Sequence, residues 1–498
     1  MIRLPGSGAQ LAPAEQFGLE LLVDAARLVP MEDPRADVVS IDVTARDARA
    51  HGGGGEGGQD LRAMAASGWG MEIGDGAVRV PRSLLAKMTD VAGAVAEQRS
   101  EERDRHDRVP SGANPLVAAE LERQPIVSLA ARALREAVAR AAGRRPVRLV
   151  VPWPGERRWA AAFTHDLDVV SGWPLFAAAR WVELFRKGEA RRAANATLAA
   201  ARALTGSPVL AGLRWLLQLE RTLEIRSTWF VLSGTPTYRT LLAGDLTYRP
   251  ESRRARTALR EILAGGHEVG LHGSFATMES TDEFRSQRDR LRAITGVEPA
   301  GVRQHFLRMR PGTTQRAMVE AGFLYDSTYG FPDRNGFRLG VADVVPAWDA
   351  ARGQEAPMSE IPLHWMDRAL SKYRGVEDPA AWVDDALALA ELCQSLEGLW
   401  VGLWHPNLTP ALGFPGAPGA YERLARTIVM RKAYIAPLGQ IAAWRAARRA
   451  VRAERIAPDG SVVARRLHAA AADDSSESMT AQIRLEDVSG TPMEAVEG

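Results

Sequence analysis

The sequence predicts a mixed α/β protein: an irregular seven-stranded (β/α) barrel preceded by a smaller mixed α/β domain. Three observations carry this. From Trp159 onward short apolar runs alternate with longer helical patterns, the signature of parallel strands joined by helices. Seven such units fit a closed ring better than an open sheet. Acids and histidines recur at the C-terminal ends of the runs, where parallel α/β folds gather their chemistry. With 498 residues, 46% hydrophobic and 25% charged, the chain is long enough for more than one domain. The reading divides it into residues 1–150, 151–450 and a C-terminal extension, 451–498.

Residues 1–150 contain a helical pattern from Glu15 to Leu28, a strand pattern from Ala36 to Val43, and a glycine-rich stretch from Gly52 to Gly58. That stretch is no phosphate loop, because no strand leads into it and no Gly-Lys-Ser/Thr follows. WGMEIGDGAVRVP predicts a hairpin turning at Gly74-Asp75-Gly76. The charge run EQRSEERDRHDR, Glu97 to Arg108, reads as a solvated helix face, and its His106 has no evident partner. After the helix Ile126–Ala142, the Pro-punctuated GRRPVRLVVPWPGERR marks the boundary.

Predicted barrel strands run Ala160–Thr164, Ser227–Leu232, His267–Leu271, Gly301–His305, Leu324–Ser327, Glu360–Leu363 and Trp400–Trp404. The first connection is long, with helical patterns Trp173–Phe185, Glu189–Ala203 and Gly212–Leu223 where one helix would suffice. This insertion is expected to shape a groove, with Trp173 a candidate substrate contact. Tyr238 and Tyr248, after the second strand, are candidates for a sugar face. From Asp473 the chain is acidic and poor in large apolar residues, a flexible tail or a stray β element.

Composition excludes several function classes. The net charge of +2 gives no field suited to nucleic acid or an anionic membrane. The single cysteine, Cys393, lies in the apolar helical pattern DDALALAELCQSL and reads as a buried small hydrophobe. No secretory succession opens the chain and no run approaches a membrane span, so the expectation is a cytoplasmic protein without a transmembrane segment.

The chemistry centres on FTHDLD, Phe163 to Asp168. Side chains alternate along a strand, so Asp166 and Asp168 share a face while His165 and Leu167 take the other. Two acids on one face at a strand end repel unless a cation or a shared proton relieves them, which invites a metal. The other strand ends supply His272, Arg303 with His305, Asp326, Asp367 and His405.

These residues resemble the motifs of the polysaccharide deacetylases, carbohydrate esterase family 4 with its chitooligosaccharide-deacetylase (NodB) homology domain. The resemblance runs from Arg158 to Arg448. FTHDLD is similar to the branch that writes the acidic pair as D-x-D. GHEVGLHGS (Gly266–Ser274), GVRQHFLR (Gly301–Arg308), YDSTYGF and VGLWHPN (Val401–Asn407) follow in the family's order. The resemblance implies a barrel of the deacetylase type and a divalent metal, typically zinc. It implies Asp166 as general base, Arg303 as its orienting partner, His405 as general acid and Asp168 as a metal ligand. It also implies that the backbone N–H near Phe306 faces an oxyanion, with Phe306 and Asp326 at the substrate.

One departure stands out. The family places two metal histidines four residues apart in the second motif, and four residues beyond His272 stands Ala276. His267 lies about 16 Å back along the strand at ~3.3 Å per residue. The nearest replacement is His305, giving Asp168, His272 and His305 as a rearranged triad. The expected function is a metal-dependent carbohydrate deacetylase cleaving N-acetyl amides of an amino-sugar polymer or oligosaccharide. Two alternatives are an allantoinase-like hydrolase of cyclic amides and a non-catalytic glycan-binding barrel in polysaccharide biosynthesis.

Overall fold

The computed structural model describes residues 1–6, 10–44, 57–145, 147–170, 173–186, 188–191, 193–194, 197, 201, 208–457, 461–466, 483–487 and 492–495. At its centre is a curled, largely parallel sheet. Its path runs Val345–Asp349, Gln354–Glu360, Tyr325–Asp326, Gly301–Gln304, Glu268–Gly273, Thr228–Leu232, Ala160–Leu167, Leu399–Leu403 and Trp365–Met366, and Tyr434–Ile435 also pairs with Ala160–Leu167. Every ladder is parallel except that between the first two, and among the described residues no ladder joins the two ends of the path.

The predicted strands lie in this sheet with shifted bounds. The largest shift is at Glu360–Leu363, where the observed strand is Gln354–Glu360. Its leading residues QEA are half-buried or exposed in an edge hairpin, so they carry no apolar signal. The strand Ala160–Leu167 is longer than predicted and wholly buried. Its alternate residues feed two cores: Ala160 and Ala162 face the sheet's interior, and Ala161, Phe163 and Leu167 face the surrounding helices. The interior is narrow. At Gly301 a methyl group would fall 1.8 Å from the Tyr325 ring, so only glycine lets these neighbours pack.

Helices Pro208–Thr222, Arg253–Ala264, Thr281–Thr295, Thr313–Glu320, Pro379–Ser395 and Ala417–Met430 clothe the outer face. Their starts are set locally: Ser252 accepts a hydrogen bond from the Ala255 N–H, Ser280 from Glu283, and Asp378 from Ala380 ahead of Pro379. Cys393 is fully buried in its helix. Of the predicted insertion, Trp173–Arg186 and Pro208–Thr222 are helical, while most of the Glu189–Ala203 pattern lies outside the described residues.

Residues before the boundary build a four-stranded sheet, ordered Ile2–Arg3, Val39–Thr44, Ala77–Pro81, Glu72–Gly74. The hairpin turns at Asp75-Gly76 with Gly76 at φ +67°, a conformation that favours glycine. The glycine-rich stretch expected at 52–58 falls mostly outside the described residues. Helices Pro13–Ala25, Arg82–Ala92 and Ile126–Ala141 bury their apolar faces in a core that also takes in Met309, Tyr329, Leu339 and Trp348 of the later chain.

The charge run departs from expectation. Glu97 is 1% exposed and paired with Arg338 at 2.6 Å, and Arg108 is 4% exposed, so the two ends of the run are buried, while Arg99, Glu101, Glu102, Arg103 and Arg105 between them are exposed as expected. Beyond Arg449, Val451–Ile456 pairs with Val462–Arg466. Arg484–Glu486 returns to pair with Leu149–Val150, so the extension contributes β structure next to the first boundary.

Candidate active site

Four strand ends converge. Asp166 and Asp168 emerge from the Ala160–Leu167 strand on one face, while His165 on the other packs 4.3 Å from the Trp229 ring. His165 Nε2 and Glu220 Oε1 are 2.8 Å apart, and Glu220 also accepts from Ser227 and Tyr421 and approaches His267 at 3.6 Å. His165 and His267 are thus satisfied behind the strand, away from the converging acids.

Asp168 is the hub. Its Oδ1 lies 3.2 Å from His272 Nε2 and 3.5 Å from His305 Nε2, and its Oδ2 lies 3.6 Å from His405 Nε2. One ligand-capable atom from each of Asp168, His272 and His305 falls within 4.8 Å of the others. Asp168 Oδ1 and His272 Nε2 are buried without a hydrogen-bond partner, despite their proximity. Leaving such atoms unsatisfied costs about 1–3 kcal/mol each, which a shared cation would recover. Burial opposes charge on Asp168, but the imidazoles of His305, His272 and His405 hold its carboxyl well below the usual carboxylate range. Burial also opposes protonation of His272, yet Asp166 and Asp168 raise its pKa.

The outer partners aim these rings. His272 Nδ1 lies 2.8 Å from the Arg303 carbonyl, so an N–H there donates and, in the neutral ring, the Nε2 lone pair is left free for a cation shared with Asp168. His305 Nδ1 lies 3.3 Å from Asp245 Oδ1. Asp245 is 1% exposed and accepts 3.1 Å hydrogen bonds at both oxygens from the Phe275 N–H. Two nitrogens, one backed by a carbonyl and the other by a carboxylate, and one carboxylate oxygen form a donor set that fits a catalytic divalent metal with open positions.

The turn after His305 is strained. Phe306 and Leu307 hold φ of 58° and 53°, a left-handed conformation costing of order 1 kcal/mol or more per non-glycine residue. Arg108 Nη1 donates to the Phe306 carbonyl at 2.8 Å, and Arg308 donates to the carbonyls of His106 and Phe275 at 3.0 and 2.8 Å. His106 stacks on Phe306 with ring centroids 5.0 Å apart. The charge run of the first region is therefore one wall of the site.

Asp166 and His405 flank the hub. Asp166 Oδ1 accepts from Arg303 Nη1 at 2.9 Å, and its Oδ2 lies 3.6 Å from His272 Nε2. Arg303, fully buried, also donates to Thr164 Oγ1 and to the carbonyl and hydroxyl of Ser327, and its guanidinium sits 4.4 Å from the Phe230 ring centroid. Asp367 grips His405 twice: its Oδ1 lies 2.6 Å from Nδ1, and its Oδ2 accepts from the His405 N–H at 2.7 Å. Burial alone would favour neutral His405, but Asp367 first, then Asp168 and Asp166, raise its pKa to about 9.

The remaining candidates lie elsewhere. Asp326 is fully buried and accepts from the Thr328 N–H at 2.9 Å; burial raises its pKa to about 6, against the lowering hydrogen bonds of Thr328 and Glu360. Tyr238 is 75% exposed on the short helix Tyr238–Leu242. The Trp173 side chain lies outside the described residues. Tyr248 is not a surface aromatic: 3% exposed, it donates to the Leu167 carbonyl at 2.7 Å and accepts from the Leu232 N–H at 3.1 Å, tying two strand ends together. Sequence reasoning missed Asp245 and Phe275. Asp245 stands alone in a loop between two tyrosines, and no spacing rule links it to a residue 60 positions away.

No family model matches the sequence, and no curated protein matches it. In structure the chain is similar to a Mycobacterium smegmatis protein assigned as a polysaccharide deacetylase, at 23% identity and TM-score 0.39, over 58% of this chain and 91% of that one. It is similar to the PuuE allantoinase at 16% identity and TM-score 0.39, with 58% and 91% covered. It is also similar to a family 4 carbohydrate esterase from Streptomyces lividans in complex with acetate, at 12% identity and TM-score 0.29, with 55% and 91% covered. The solved structures that this chain resembles thus include polysaccharide deacetylases and family 4 carbohydrate esterases, together with an allantoinase.

Proposed function

We propose that the chain is a divalent-metal-dependent hydrolase that removes N-acetyl groups from an amino-sugar polymer or oligosaccharide. The observation that carries the reading is the buried, unsatisfied Asp168 Oδ1 and His272 Nε2 facing His305, with an acid-base pair on either side. Asp168, His272 and His305 would hold the cation, most plausibly Zn2+ for a set of two imidazoles and one carboxylate. Such a cation, when bound, polarises an acyl oxygen and acidifies a water.

The rest is the work of side chains. Asp166 accepts the proton of the attacking water, and Arg303 fixes that carboxylate in place by its hydrogen bond. An amine leaves poorly unless protonated, and His405, an imidazolium through neutral pH because Asp367 stabilises its charge, donates that proton to the departing nitrogen. Substrate contacts fall to Phe306 at the rim, with Trp173 and Tyr238 further candidates; Asp326 is fully buried and takes no such part.

The test is metal content of the purified chain by mass spectrometry, beside acetate release from N-acetyl-chitohexaose by wild type and Asp166→Asn. The expected result is near-stoichiometric zinc in both, with acetate release about 10²–10⁴-fold slower in the variant. Absence of bound metal after zinc loading, or equal rates, overturns the reading.

A further inference from the structure

The cleft carries cations that the reaction above does not use. Immediately after Asp367 come Arg368 and a single-turn π-helical segment, Ala369–Tyr373, a conformation frequent at functional sites. Arg368 is recessed, its guanidinium 5.5 Å from the Phe414 ring centroid, and Arg180 approaches the same ring at 4.6 Å. Lys372 Nζ lies 5.3 Å from the Phe306 ring and 5.5 Å from the Tyr373 ring, and Arg108 lies 5.9 Å from Tyr373. One line of positive charge therefore runs from Phe414 to Phe306 along the mouth of the site.

The carboxylates that could neutralise it are committed. Asp367 is held by His405, Glu183 pairs with Arg180 at 2.8 Å, Asp104 with Arg108 at 2.7 Å, and Asp107 with Arg308 at 3.0 Å. Among the described residues neither Arg368 nor Lys372 makes an ion pair or a side-chain hydrogen bond, and Arg180 Nε is buried without a partner. Desolvation against the Phe306 and Tyr373 rings, then the neighbouring Arg368, Arg105 and Arg108, draws the Lys372 ammonium below its ordinary value, and desolvation does the same to Arg368 against the opposing pull of Asp367, Glu183 and Asp168. Lys372 is exposed and Arg368 half-buried, and although the charges of Asp367, Glu183 and Asp168 reach Arg368 none of them bonds to it, so both cations stand open to an anion at the mouth of the site.

We infer that the substrate is an acidic glycan, with a carboxylate or phosphate on or next to the N-acetylated sugar, and that Arg368 and Lys372 are the residues that select it. The inference rests on the hydrolase reading only for the position of the acetyl group; anion recognition stands independently. A guanidinium paired with an ammonium suits it: Arg368 offers a planar fork to two oxygens, and Lys372 adds a point charge backed by two aromatic faces.

The experiment is titration calorimetry on the full, zinc-loaded chain with four probes: a hyaluronan hexasaccharide (uronate carboxylates), N-acetylglucosamine 6-phosphate, and the neutral N-acetyl-chitohexaose and N-acetylglucosamine. At least one acidic probe is expected to bind about tenfold tighter than its neutral counterpart at low salt, chitohexaose for the hexasaccharide and N-acetylglucosamine for the phosphate. In Arg368→Gln/Lys372→Gln the advantage should fall to about twofold while affinity for the neutral probes holds. The two acidic probes tell carboxylate from phosphate. The melting temperature of the double variant should stay level or rise, which a structural role would not allow. Equal affinity for acidic and neutral probes, binding to none of them, or parallel loss for all in the double variant overturns the inference. Acetate release is followed in parallel. Charge-selective binding without acetate removes the hydrolase reading and leaves this one, whereas acetate from acidic and neutral oligosaccharides alike does the reverse.

Discussion

Two buried charge clusters show opposite solutions to one electrostatic problem. In the first, Glu397 accepts from Arg27, Arg135 and Arg158, and Glu486 from Arg27 and Arg158, so that both carboxylates are fully occupied. This cluster ties residues before the boundary, the start of the curled sheet and the C-terminal extension to one point. In the second, Asp168 and His272 keep buried atoms unsatisfied within reach of His305, His405 and Asp166. The lesson is about economy of partners. Where every oxygen is matched by a guanidinium, the charges hold the fold together; where matching atoms are withheld, the residual potential is available to a ligand.

Each cluster can be broken separately, and the responses should not overlap. The largest effect is expected from Asp168→Asn or His272→Ala, which should remove zinc from the purified chain and reduce acetate release by about 10³-fold or more. Measured against metal-free wild type at pH 7, Asp168→Asn loses the favourable charge contacts with His305, His272 and His405, so its urea midpoint should fall modestly while zinc content and activity fall far more. A fall comparable to a core deletion would erase the contrast.

Glu397→Gln should do the opposite, destabilising the fold by about 2–3 kcal/mol at pH 7 with zinc content unchanged. Burial opposes charge on Glu397, but Arg27, Arg135 and Arg158 lower its pKa from 4.5 to about 2. A depressed carboxyl contributes stability that is present above pH 4.5 and lost as pH falls towards 2. The urea midpoints of wild type and variant should therefore converge across that window.

Asp245→Asn sharpens the comparison from the other side, since it changes no metal-facing atom. It should weaken zinc affinity about 10–100-fold, read by competition with a chelator, by releasing the His305 ring from its orienting carboxylate. Asp367→Asn is the mildest at neutral pH. Wild-type activity should decline on an alkaline limb near pH 9, where the raised His405 loses its proton, and the variant's limb should move towards the ordinary histidine value near 6.5. A limb that does not move would remove His405 from the acid's role.

Much of this was legible before any fold was seen, because the signals are local. The apolar runs located seven of the ten described strands of the curled sheet and missed Val345–Asp349, Trp365–Met366 and Tyr434–Ile435, and the D-x-D at the end of FTHDLD placed two acids on one face through strand alternation alone. His272, Arg303, His305, Asp367 and His405 were legible by position, each at the end of an apolar run. The absence of a second histidine four residues after His272 directed attention to His305. What failed was anything whose meaning depends on a distant partner. The run Glu97–Arg108 reads as solvated until Arg338 and the turn at Phe306 are brought against it. Tyr248 reads as a surface aromatic until two strand ends need a hydroxyl between them.

The chain by itself marked the candidate residues and the face of a strand on which they stand, since period and composition act over a few residues. Only the tertiary structure decided which of them meet. The distance from Asp168 to His272 or His405 follows from the curl of the sheet, and the partners that aim each ring, Asp245 and the Arg303 carbonyl among them, come from loops and backbone with no sequence period of their own.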